Sequence, residues 1–410
     1  MFVDPSAHTL HNTGDAAMLQ VALMRIRAQW AGACVTVHFS DAPALARLDG
    51  QAHVLSPKGV RAWAPDAGLA APGRPLARAR ALLARAGRTM RRRWPGYWRV
   101  VARMVDRTSV DAYLRTVQGA DLVLLTGAGA LTDAFARHAV QLLETLEVGQ
   151  AAGAVTAATG QGLGPLHEPL LVERAAGAVR GADLLALREP LLGVQLLAAW
   201  GVAPQQWTVT GDDALALLDA GLGPAAGPAL GVCLRRAPYA RIDDATLHET
   251  REVVRSFAAA VAAPVTGLPV SRHLLEDDAD ALGGLVQRDD GPRSPDALIE
   301  RVRGCRTVLT GSYHAAVFAL GSGVPVVALA GSPYYLHKFA GLAALFGDAC
   351  QTVVPGPLLA RDLRAALLEA WELAPPAREE LCATARRQVV AGDAAYAEIF
   401  QLVEARVRPR

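Results

Sequence analysis

Short apolar runs alternate with longer helix-like segments along most of the chain. The runs Asp121–Leu125, Ala154–Ala158, Thr307–Thr310 and Val324–Leu329 each have the length of one strand, and each precedes a glycine-rich or polar loop and then a helical pattern. Parallel strands that are buried on both faces have continuous apolar sequences of this kind. The pattern therefore predicts an α/β fold with parallel sheets covered by helices.

A Gly-, Pro- and Ala-rich segment at residues 219–229 divides this alternation into two series. Because 410 residues exceed the size of one ordinary hydrophobic core, two domains are expected. We predict a Rossmann-like domain over residues 1–220 and a second one over residues 228–375. We expect the C-terminal segment, residues 376–410, to be a helix that crosses back and packs on both domains.

The stretch Arg306–Gly347 places candidate chemistry at the end of a strand. A polar turn follows Thr307–Thr310 and ends at His314, after which a helix begins at about Ala315. Ligands bind beyond the carboxyl ends of strands in such sheets, and the N–H groups of a helix start favour anions. His314 suits proton transfer because its ordinary pKa lies near neutrality. The alternative is that His314 only caps its helix and packs.

The loop His8–Asp15 is the second candidate, since it leads from the first strand into an amphipathic helix that begins at Ala16. Asn12 and Asp15 are typical helix-start residues, and Gly14 permits a close approach of the backbone. The loop either only caps its helix or faces the ligand crevice of a Rossmann-like domain. No GxGxxG motif occurs, so the sequence does not support dinucleotide binding.

The motifs at these strand ends resemble those of the polysaccharide pyruvyl transferase family. The family motif Thr-x-Arg-(Leu or Tyr)-His-Ala, followed by a helix and Gly-(Val or Ile)-Pro, corresponds to Thr310–Ala315 and Gly323–Pro325. His314 matches the motif, whereas Ser312 stands where the family has arginine. The N-terminal signature Asn-x-Gly-Asp of the family is also present and ends at Asp15.

Further loops in the same order extend the resemblance from Asn12 to Lys338. The family has a Gly-rich turn after the Asp-hydrophobic strand, then Gln-Gly-(Ile or Leu)-Gly-Pro, then Arg-(Asp or Glu) at a helix start, and then Gly-Asp. The corresponding motifs of this chain begin at Gly127, Gln161, Arg188 and Gly211.

The resemblance implies the transfer of a pyruvyl group from phosphoenolpyruvate to two hydroxyls of a sugar, which forms a ketal and releases phosphate. The acceptor would belong to a cell-surface glycan, such as an exopolysaccharide, or to its precursor. A GT-B-like architecture is also implied, in which two Rossmann-like domains face each other across a cleft. His314 would be the acid–base residue and Asp15 would orient an acceptor hydroxyl. Phosphoenolpyruvate is the donor substrate, and we predict no cofactor and no metal.

Cations at strand ends are candidates for binding the carboxylate and phosphate of this donor. Arg235 and Arg272 end predicted strands of the second domain, where a guanidinium can hold an anion through two N–H groups. Lys338 can supply another cation. The predicted substrate-binding residues are Asn12, Gly14, Gly129, Gln161, Gly162, Arg188, Arg235, Arg272, Ser312, Tyr313 and Lys338.

Two other functions remain open from the sequence. A glycosyltransferase of the same architecture would use the same cleft and cations to hold the pyrophosphate of a nucleotide sugar. The serine at position 312, in place of the motif arginine, keeps this alternative open. A glycan-binding or assembly protein derived from the fold would retain the architecture but lose the donor site.

The overall composition limits the compartment and the partners. A formal net charge of +2 gives no argument for a nucleic-acid partner. The five cysteines are scattered without CxxC or CxxH spacing, which indicates a reducing compartment and no structural zinc site. The first residues lack a signal-peptide pattern, and no uncharged apolar run of about 18 residues occurs. We therefore predict a cytoplasmic protein.

An arginine-rich strip at residues 74–107 differs from the rest of the chain. It contains eleven arginines, with Trp94, Tyr97 and Trp98 among them, and two helices broken at Pro95 and Gly96 fit its pattern. The strip is either a solvated face or a contact for an anionic membrane surface, an acidic glycan or a lipid-linked pyrophosphate. A membrane contact would place the protein at the inner face of the membrane.

If the strip contacts a membrane, the protein should sediment with anionic vesicles and should be released as the salt concentration rises. The reason is that salt screens attraction between exposed charges over distances of about 10 Å at 0.1 M ionic strength. Co-sedimentation with anionic and with neutral vesicles checks this prediction. Equal retention on both kinds of vesicle would leave the solvated-face interpretation.

Overall fold

The computed structural model describes residues 1–5, 8–64, 106–127, 129–218, 227–273, 276–287 and 294–407. Two segments singled out in the sequence lie partly outside these ranges. Residues 74–105 of the arginine-rich strip and residues 219–226 of the predicted linker lie outside the described ranges.

The first half of the chain forms a seven-stranded sheet. Its strands are β1 (Phe2–Asp4), β2 (Thr36–His38), β3 (His53–Leu55), β4 (Leu122–Leu125), β5 (Val155–Gln161), β6 (Leu184–Leu187) and β7 (Trp207–Val209). Their order is β3-β2-β1-β4-β5-β6-β7, and all adjacent pairs are parallel. Hydrophobic cores lie on both faces of the sheet, which explains the continuous apolar runs.

The helices of this half cover the sheet, and two predictions about them are corrected. They are α1 (Thr13–Gln29), α2 (Ala42–Leu48), α3 (Lys58–Trp63), α4 (Arg107–Gln118), α5 (Ala136–Ala152), α6 (Pro169–Arg180) and α7 (Leu192–Ala199), with 3₁₀ turns at Asp133–Phe135, Pro204–Gln206 and Asp213–Leu217. α1 is not amphipathic, because its side chains enter the cores of both halves. α7 begins at Leu192 rather than at Arg188, whose N–H extends the strand ladder by donating to the Gln161 carbonyl at 3.0 Å.

The second half forms a five-stranded parallel sheet of order β14-β13-β12-β8-β9. The strands of this half, including the antiparallel hairpin of β10 and β11, are β8 (Ala229–Cys233), β9 (Val265–Gly267), β10 (Arg272–His273), β11 (Glu276–Asp277), β12 (Cys305–Thr310), β13 (Val326–Leu329) and β14 (Cys350–Val353). The helices are α8 (Asp244–Ala260), α9 (Asp278–Leu282), α10 (Pro295–Arg303), α11 (Tyr313–Gly321), α12 (Pro333–Phe346) and α13 (Leu359–Val407), with 3₁₀ turns at Pro238–Ala240 and Gly347–Ala349. The predicted class of two parallel α/β units is confirmed.

The long helix α13 crosses from the second half back to the first, as expected. Leu363, near its start, lies in a core of the second sheet, whereas Tyr396 lies in a core of the first sheet. Near its end, Arg406 pairs with Asp183 of the first half at 2.7 Å. The C-terminal helix therefore packs on both sheets.

One difference concerns the continuity of α13. The sequence predicts a separate C-terminal helix over residues 376–410, but the helix begins at Leu359 and is continuous through Pro375 and Pro376. Both prolines are exposed, and the Trp371 carbonyl, which has no N–H partner at Pro375, accepts a hydrogen bond from Arg306 Nε at 2.9 Å. None of the helices in the described ranges is both long and apolar enough to cross a bilayer.

Helix α11 lies at the junction of the two halves. All nine of its residues are buried, and it contacts α1 and α13 as well as the 3₁₀ turn Asp213–Leu217 of the first half. A helix that is apolar on all sides is typical of such a fully buried position. The junction therefore places His314, in the first turn of α11, between the two sheets.

Candidate active site

A cleft of about 250 Å³ opens at the carboxyl ends of both sheets. In each sheet it lies where the strand order reverses, between β1 and β4 in the first half and between β8 and β12 in the second. Open α/β sheets bind ligands at such positions. The predicted site residues that line the cleft are Asn12, Asp15, Gly129, Arg188, Arg235, Ser312, Tyr313, His314 and Lys338.

The loop before α1 joins the two halves of the chain. Asn12 caps the helix, since its side-chain oxygen accepts hydrogen bonds from Gly14 N at 3.0 Å and from Asp15 N at 3.3 Å. On the opposite side, Thr13 N donates to the Val270 carbonyl of the second half at 3.0 Å. The loop thus caps its helix and also holds Asp15 at the wall of the cleft.

Two glycines allow the functional side chains to approach each other. A Cβ atom at Gly14 would overlap the imidazole of His314, so the first turns of α1 and α11 are in direct contact here. A Cβ atom at Gly129 would lie 2.6 Å from Arg188 Nη2 and 2.6 Å from Lys338 Cε. Any larger residue at either position must displace the side chains of the cleft.

Arg188 and Lys338 bring positive charge into the cleft from opposite sheets. Arg188 is 2 % exposed, and its guanidinium carbon lies 4.1 Å from the centre of the Tyr313 ring. The Lys338 ammonium lies 4.1 Å from the centre of the Tyr334 ring, and no described carboxylate forms an ion pair with it. Aromatic faces attract cations while leaving their N–H groups available to an anion.

Arg235 is the third cation, and Asp278 fixes its position. Arg235 Nε lies 2.8 Å from Asp278 Oδ1, and its Nη2 donates to Asp278 Oδ2 at 3.0 Å. The same Nη2 lies 3.3 Å from Ser312 Oγ. Along the sequence Asp278 belongs to an acidic run at residues 276–280, and it is the first residue of α9. Serine at position 312 thus accommodates the guanidinium that enters from β8.

Burial determines the protonation of the acids and bases in the cleft. It raises the pKa of Asp15 to about 6, although Lys338 and Arg188 oppose this shift, and it raises the pKa of Asp212 to about 6 as well. Burial, together with the cations Arg188 and Lys338, holds the pKa of His314 well below its usual value. Burial also holds the pKa of Lys338 well below its usual range. At neutral pH the imidazole is therefore neutral and both carboxylates are ionised.

Asp212 was missed among the predicted site residues. Its Oδ2 atom lies 3.8 Å from His314 Nε2 and 3.8 Å from Arg188 Nη1, while its Oδ1 accepts a hydrogen bond from Ala214 N at 2.9 Å. The Gly-Asp motif after β7 was the one available signal. The proximity of Asp212 to His314 depends on how the two halves of the chain pack together, which the sequence pattern does not predict.

An aromatic wall across the cleft was also missed. Phe135 of the first half lies 5.0 Å from Tyr239 and 5.5 Å from Tyr334 of the second half, measured between ring centres. The Tyr334 hydroxyl donates to the Gly129 carbonyl at 3.1 Å, which adds a hydrogen bond between the halves. No motif marks these aromatic residues, because each follows a loop whose fold brings them together only in three dimensions.

Several predicted residues lie outside the cleft lining. The prediction for Arg272 is corrected, because it belongs to the hairpin strand β10 and its Nε pairs with Asp277 Oδ1 at 3.0 Å. Gln161 is buried, and its amide donates to the Thr126 carbonyl at 3.1 Å, which supports the strand ends. Gly162 packs against the Arg188 guanidinium and so acts on the site indirectly.

Within the described residues, one group of His and acidic side chains has the composition of a metal site. It consists of Asp4, His8 and His38, all buried at the ends of β1 and β2. His38 Nδ1 lies 2.9 Å from Asp4 Oδ2, and His8 Nε2 lies 3.6 Å from Asp4 Oδ1. Burial opposes ionisation, but the two imidazoles hold the pKa of Asp4 well below its usual range. The carboxylate thus has partners within the protein.

Comparison with solved structures identifies the same architecture in other proteins. The CalG4 calicheamicin glycosyltransferase has a TM-score of 0.55 at 14% identity, over 100% of this chain and 99% of that chain. A putative UDP-N-acetylglucosamine 2-epimerase from Listeria monocytogenes has a TM-score of 0.57 at 13% identity, over 100% and 97%. The UDP-GlcNAc 2-epimerase of Neisseria meningitidis has a TM-score of 0.55 at 10% identity, over 98% of each chain. These structural similarities show that the chain has the GT-B fold, and they show nothing more.

Comparison at the sequence level gives the family. No curated protein matches the chain. The family model for "Polysaccharide pyruvyl transferase" matches residues 12–333, which is well over half of the chain. The match begins at Asn12 of the first cleft loop and includes every cation of the cleft except Lys338. The chain belongs to the polysaccharide pyruvyl transferase family, a family of transferases.

Proposed function

We propose that the protein transfers a pyruvyl group from phosphoenolpyruvate to two hydroxyls of a sugar or glycan. The observation that carries this proposal is the convergence of Arg188, Arg235 and Lys338 on one cleft that also contains His314. Phosphoenolpyruvate carries both a carboxylate and a phosphate, so it requires several cations within one small site. Membership of the family supports the same chemistry.

The reaction defines what the cleft has to supply. Two sugar oxygens form bonds to C2 of the donor, the C2–O bond to the phosphate breaks, and C3 gains one proton to become a methyl group. One hydroxyl proton is balanced by the proton added to C3, and the other leaves with the phosphate. The transfer therefore needs acid–base groups and anion binding, without net oxidation or reduction.

The residues of the cleft can divide these tasks. The neutral imidazole of His314 can accept a hydroxyl proton and deliver a proton to C3. The carboxylate of Asp15 is not hydrogen-bonded or ion-paired to any described side chain, so it is available to orient an acceptor hydroxyl. Arg188, Arg235 and Lys338 can hold the two anionic groups of the donor and stabilise the phosphate as it leaves.

A nucleotide-sugar transferase is the second candidate, favoured by Ser312 in place of the motif arginine. The same cations could then bind a pyrophosphate. Against this alternative, Arg235 Nη2 lies 3.3 Å from Ser312 Oγ, so a guanidinium occupies this part of the cleft despite the substitution. We therefore favour the pyruvyl transfer.

Phosphoenolpyruvate should raise the melting temperature of the purified protein, whereas UDP-, GDP- and TDP-sugars should not. A ligand that binds only the folded state stabilises it by about 2.7 kcal/mol at 100 times its dissociation constant. Lys338→Met should lose most of this shift, because methionine retains an extended apolar side chain but removes one anion-binding charge. Thermal-shift measurements over a range of ligand concentrations check this prediction.

The chain offers a matched control for this substitution. Lys58 is the only other lysine of the sequence and is exposed at the start of α3, so Lys58→Met should leave the ligand-induced shift unchanged. Stabilisation by a nucleotide sugar but not by phosphoenolpyruvate would favour the glycosyltransferase alternative. A full shift in Lys338→Met would remove Lys338 from the donor site.

The chemical identity and the location of the acceptor are predicted from the sequence and not from the cleft. A lipid-linked glycan precursor at the inner face of the membrane would bring an anionic pyrophosphate and lipid surface to the arginine-rich strip. Most of that strip lies outside the described residues. The lipid linkage, the membrane contact and the cytoplasmic location therefore stay predictions from the sequence.

A further inference from the structure

Three buried polar atoms that have no hydrogen-bond partner in the described ranges lie close together at the His314 ring. They are Asp212 Oδ2, His314 Nε2 and Arg188 Nη1, and the oxygen lies 3.8 Å from each of the two nitrogens. Buried polar groups in proteins are nearly always hydrogen-bonded. Catalytic hydrogen bonds are often long in ligand-free structures and shorten when substrate binds. Three such atoms at one point indicate a contact that completes the site.

The orientation of Asp212 is determined by its position in the chain. It follows Gly211 after β7 and caps the 3₁₀ turn Asp213–Leu217, with Oδ1 accepting from Ala214 N at 2.9 Å. The side chain is fully buried, so solvent does not compete for its second oxygen. With Oδ1 bound to the backbone, Oδ2 is the atom that faces His314.

We infer that Asp212 is a positioning residue, whose carboxylate fixes the orientation and the tautomer of the His314 imidazole. The carboxylate accepts a hydrogen bond from Nε2–H and therefore holds the proton of the neutral ring on Nε2. The lone pair then lies on Nδ1, the nitrogen on the side of Gly14. Asp15, the next residue in the first turn of α1, lines the cleft.

A fixed tautomer of a neutral His314 imidazole is consistent with the charges around the ring. Burial disfavours the imidazolium, as do the cations Arg188, Lys338 and Arg235, so the neutral ring is the form that must be oriented. A neutral imidazole has two tautomers, and only the one with the proton on Nε2 presents a basic Nδ1. In serine proteases a buried aspartate selects the histidine tautomer in the same way. Only the kinetic consequence of this inference rests on the proposed function.

Nitrogen-15 NMR of histidine-labelled protein, recorded without and with phosphoenolpyruvate, tests the inference independently of turnover. The chain has ten histidines, and the His314 signals can be assigned by their loss in His314→Gln. In the wild type, Nε2 should give the shift of a protonated nitrogen and Nδ1 that of an unprotonated one. Asp212→Asn should reverse this pattern, because its Oδ1 still binds Ala214 N and its NH₂ group then donates to Nε2.

Two further variants separate positioning from stability. Asp213→Asn is the matched control, since this neighbouring buried carboxylate contacts Arg25 and Tyr396 rather than His314. It should lower the melting temperature but leave the His314 tautomer unchanged. Asp212→Ser can still cap the 3₁₀ turn, so it provides a folded variant if asparagine is not tolerated. In that variant the His314 signals should report a mixture of both tautomers.

The kinetic readout distinguishes failure of this inference from failure of the proposed function. Asp212→Asn should lower kcat about 10²–10⁴-fold, whereas the phosphoenolpyruvate-induced thermal shift should largely persist. An unchanged tautomer in both Asp212 variants, or an unchanged kcat, would overturn the positioning role. If the tautomer reverses while no variant, including the wild type, transfers a pyruvyl group, the positioning role holds and the proposed reaction fails.

Discussion

Replacing His314 with glutamine should lower kcat for pyruvyl transfer about 10²–10⁴-fold, the usual contribution of a positioned acid or base. Glutamine can occupy the space of the imidazole and form hydrogen bonds, but it cannot exchange a proton near neutral pH. The three cations of the cleft remain, so phosphoenolpyruvate should still raise the melting temperature of this variant. Acceptor-dependent phosphate release at saturating donor measures the loss of turnover.

The same residue also contributes to stability. His314 is 7 % exposed and packs on Gly14, so it lines the cleft and fills the junction at once. His314→Ala should therefore lower the free energy of unfolding by about 1–3 kcal/mol, in addition to abolishing turnover. His248→Gln, on the exposed face of α8, is the control and should change neither property. Full activity in His314→Gln would end the catalytic assignment.

Gly14→Ala should lower kcat about 10²-fold or more and should destabilise the protein by about 1–3 kcal/mol. The added methyl group would overlap the His314 ring, so either the ring or the first turn of α1 must move. Gly14 thus controls how closely the two halves of the chain approach each other beside His314. Turnover and chemical denaturation of the same preparation measure the two effects.

Gly177→Ala is the control for that substitution. Gly177 also lies in a helix, α6, but a Cβ atom there would meet nothing within 4 Å. Alanine should therefore be neutral or stabilising by up to about 1 kcal/mol, since it favours helix over glycine. If Gly14→Ala behaves like Gly177→Ala, the two helix starts are not in functional contact.

The sequence is informative wherever a strand and its loop are encoded locally. The short run Thr307–Thr310 is buried because both faces of this part of β12 are covered, and the polar turn after it marks the carboxyl end of the strand. The same reasoning makes the loop that contains Asn12 and Asp15 a candidate for the cleft, whereas Arg188 is predicted from the family motif. The loop prediction depends only on the order of apolar and polar residues along a short segment.

The sequence is much less informative about contacts between distant segments. Arg272 and Arg235 both follow apolar runs and carry the same charge, but a hairpin turns Arg272 towards Asp277. Asp278 looks like one member of an acidic helix start, yet it is the partner that fixes Arg235. Both contacts form within the second half, one in a hairpin and one between residues 43 positions apart, and the order of apolar and polar residues encodes neither of them.

The most direct test of the account follows the donor carbon itself. Phosphoenolpyruvate labelled with carbon-13 at C2 should be incubated with the protein and a panel of hexose and N-acetylhexosamine glycosides. We predict that the enol signal is replaced by a ketal signal, with an equal amount of inorganic phosphate, only in the presence of an acceptor and not with His314→Gln. Persistence of the enol with every acceptor, while a nucleotide sugar is consumed under the same conditions, would contradict the account.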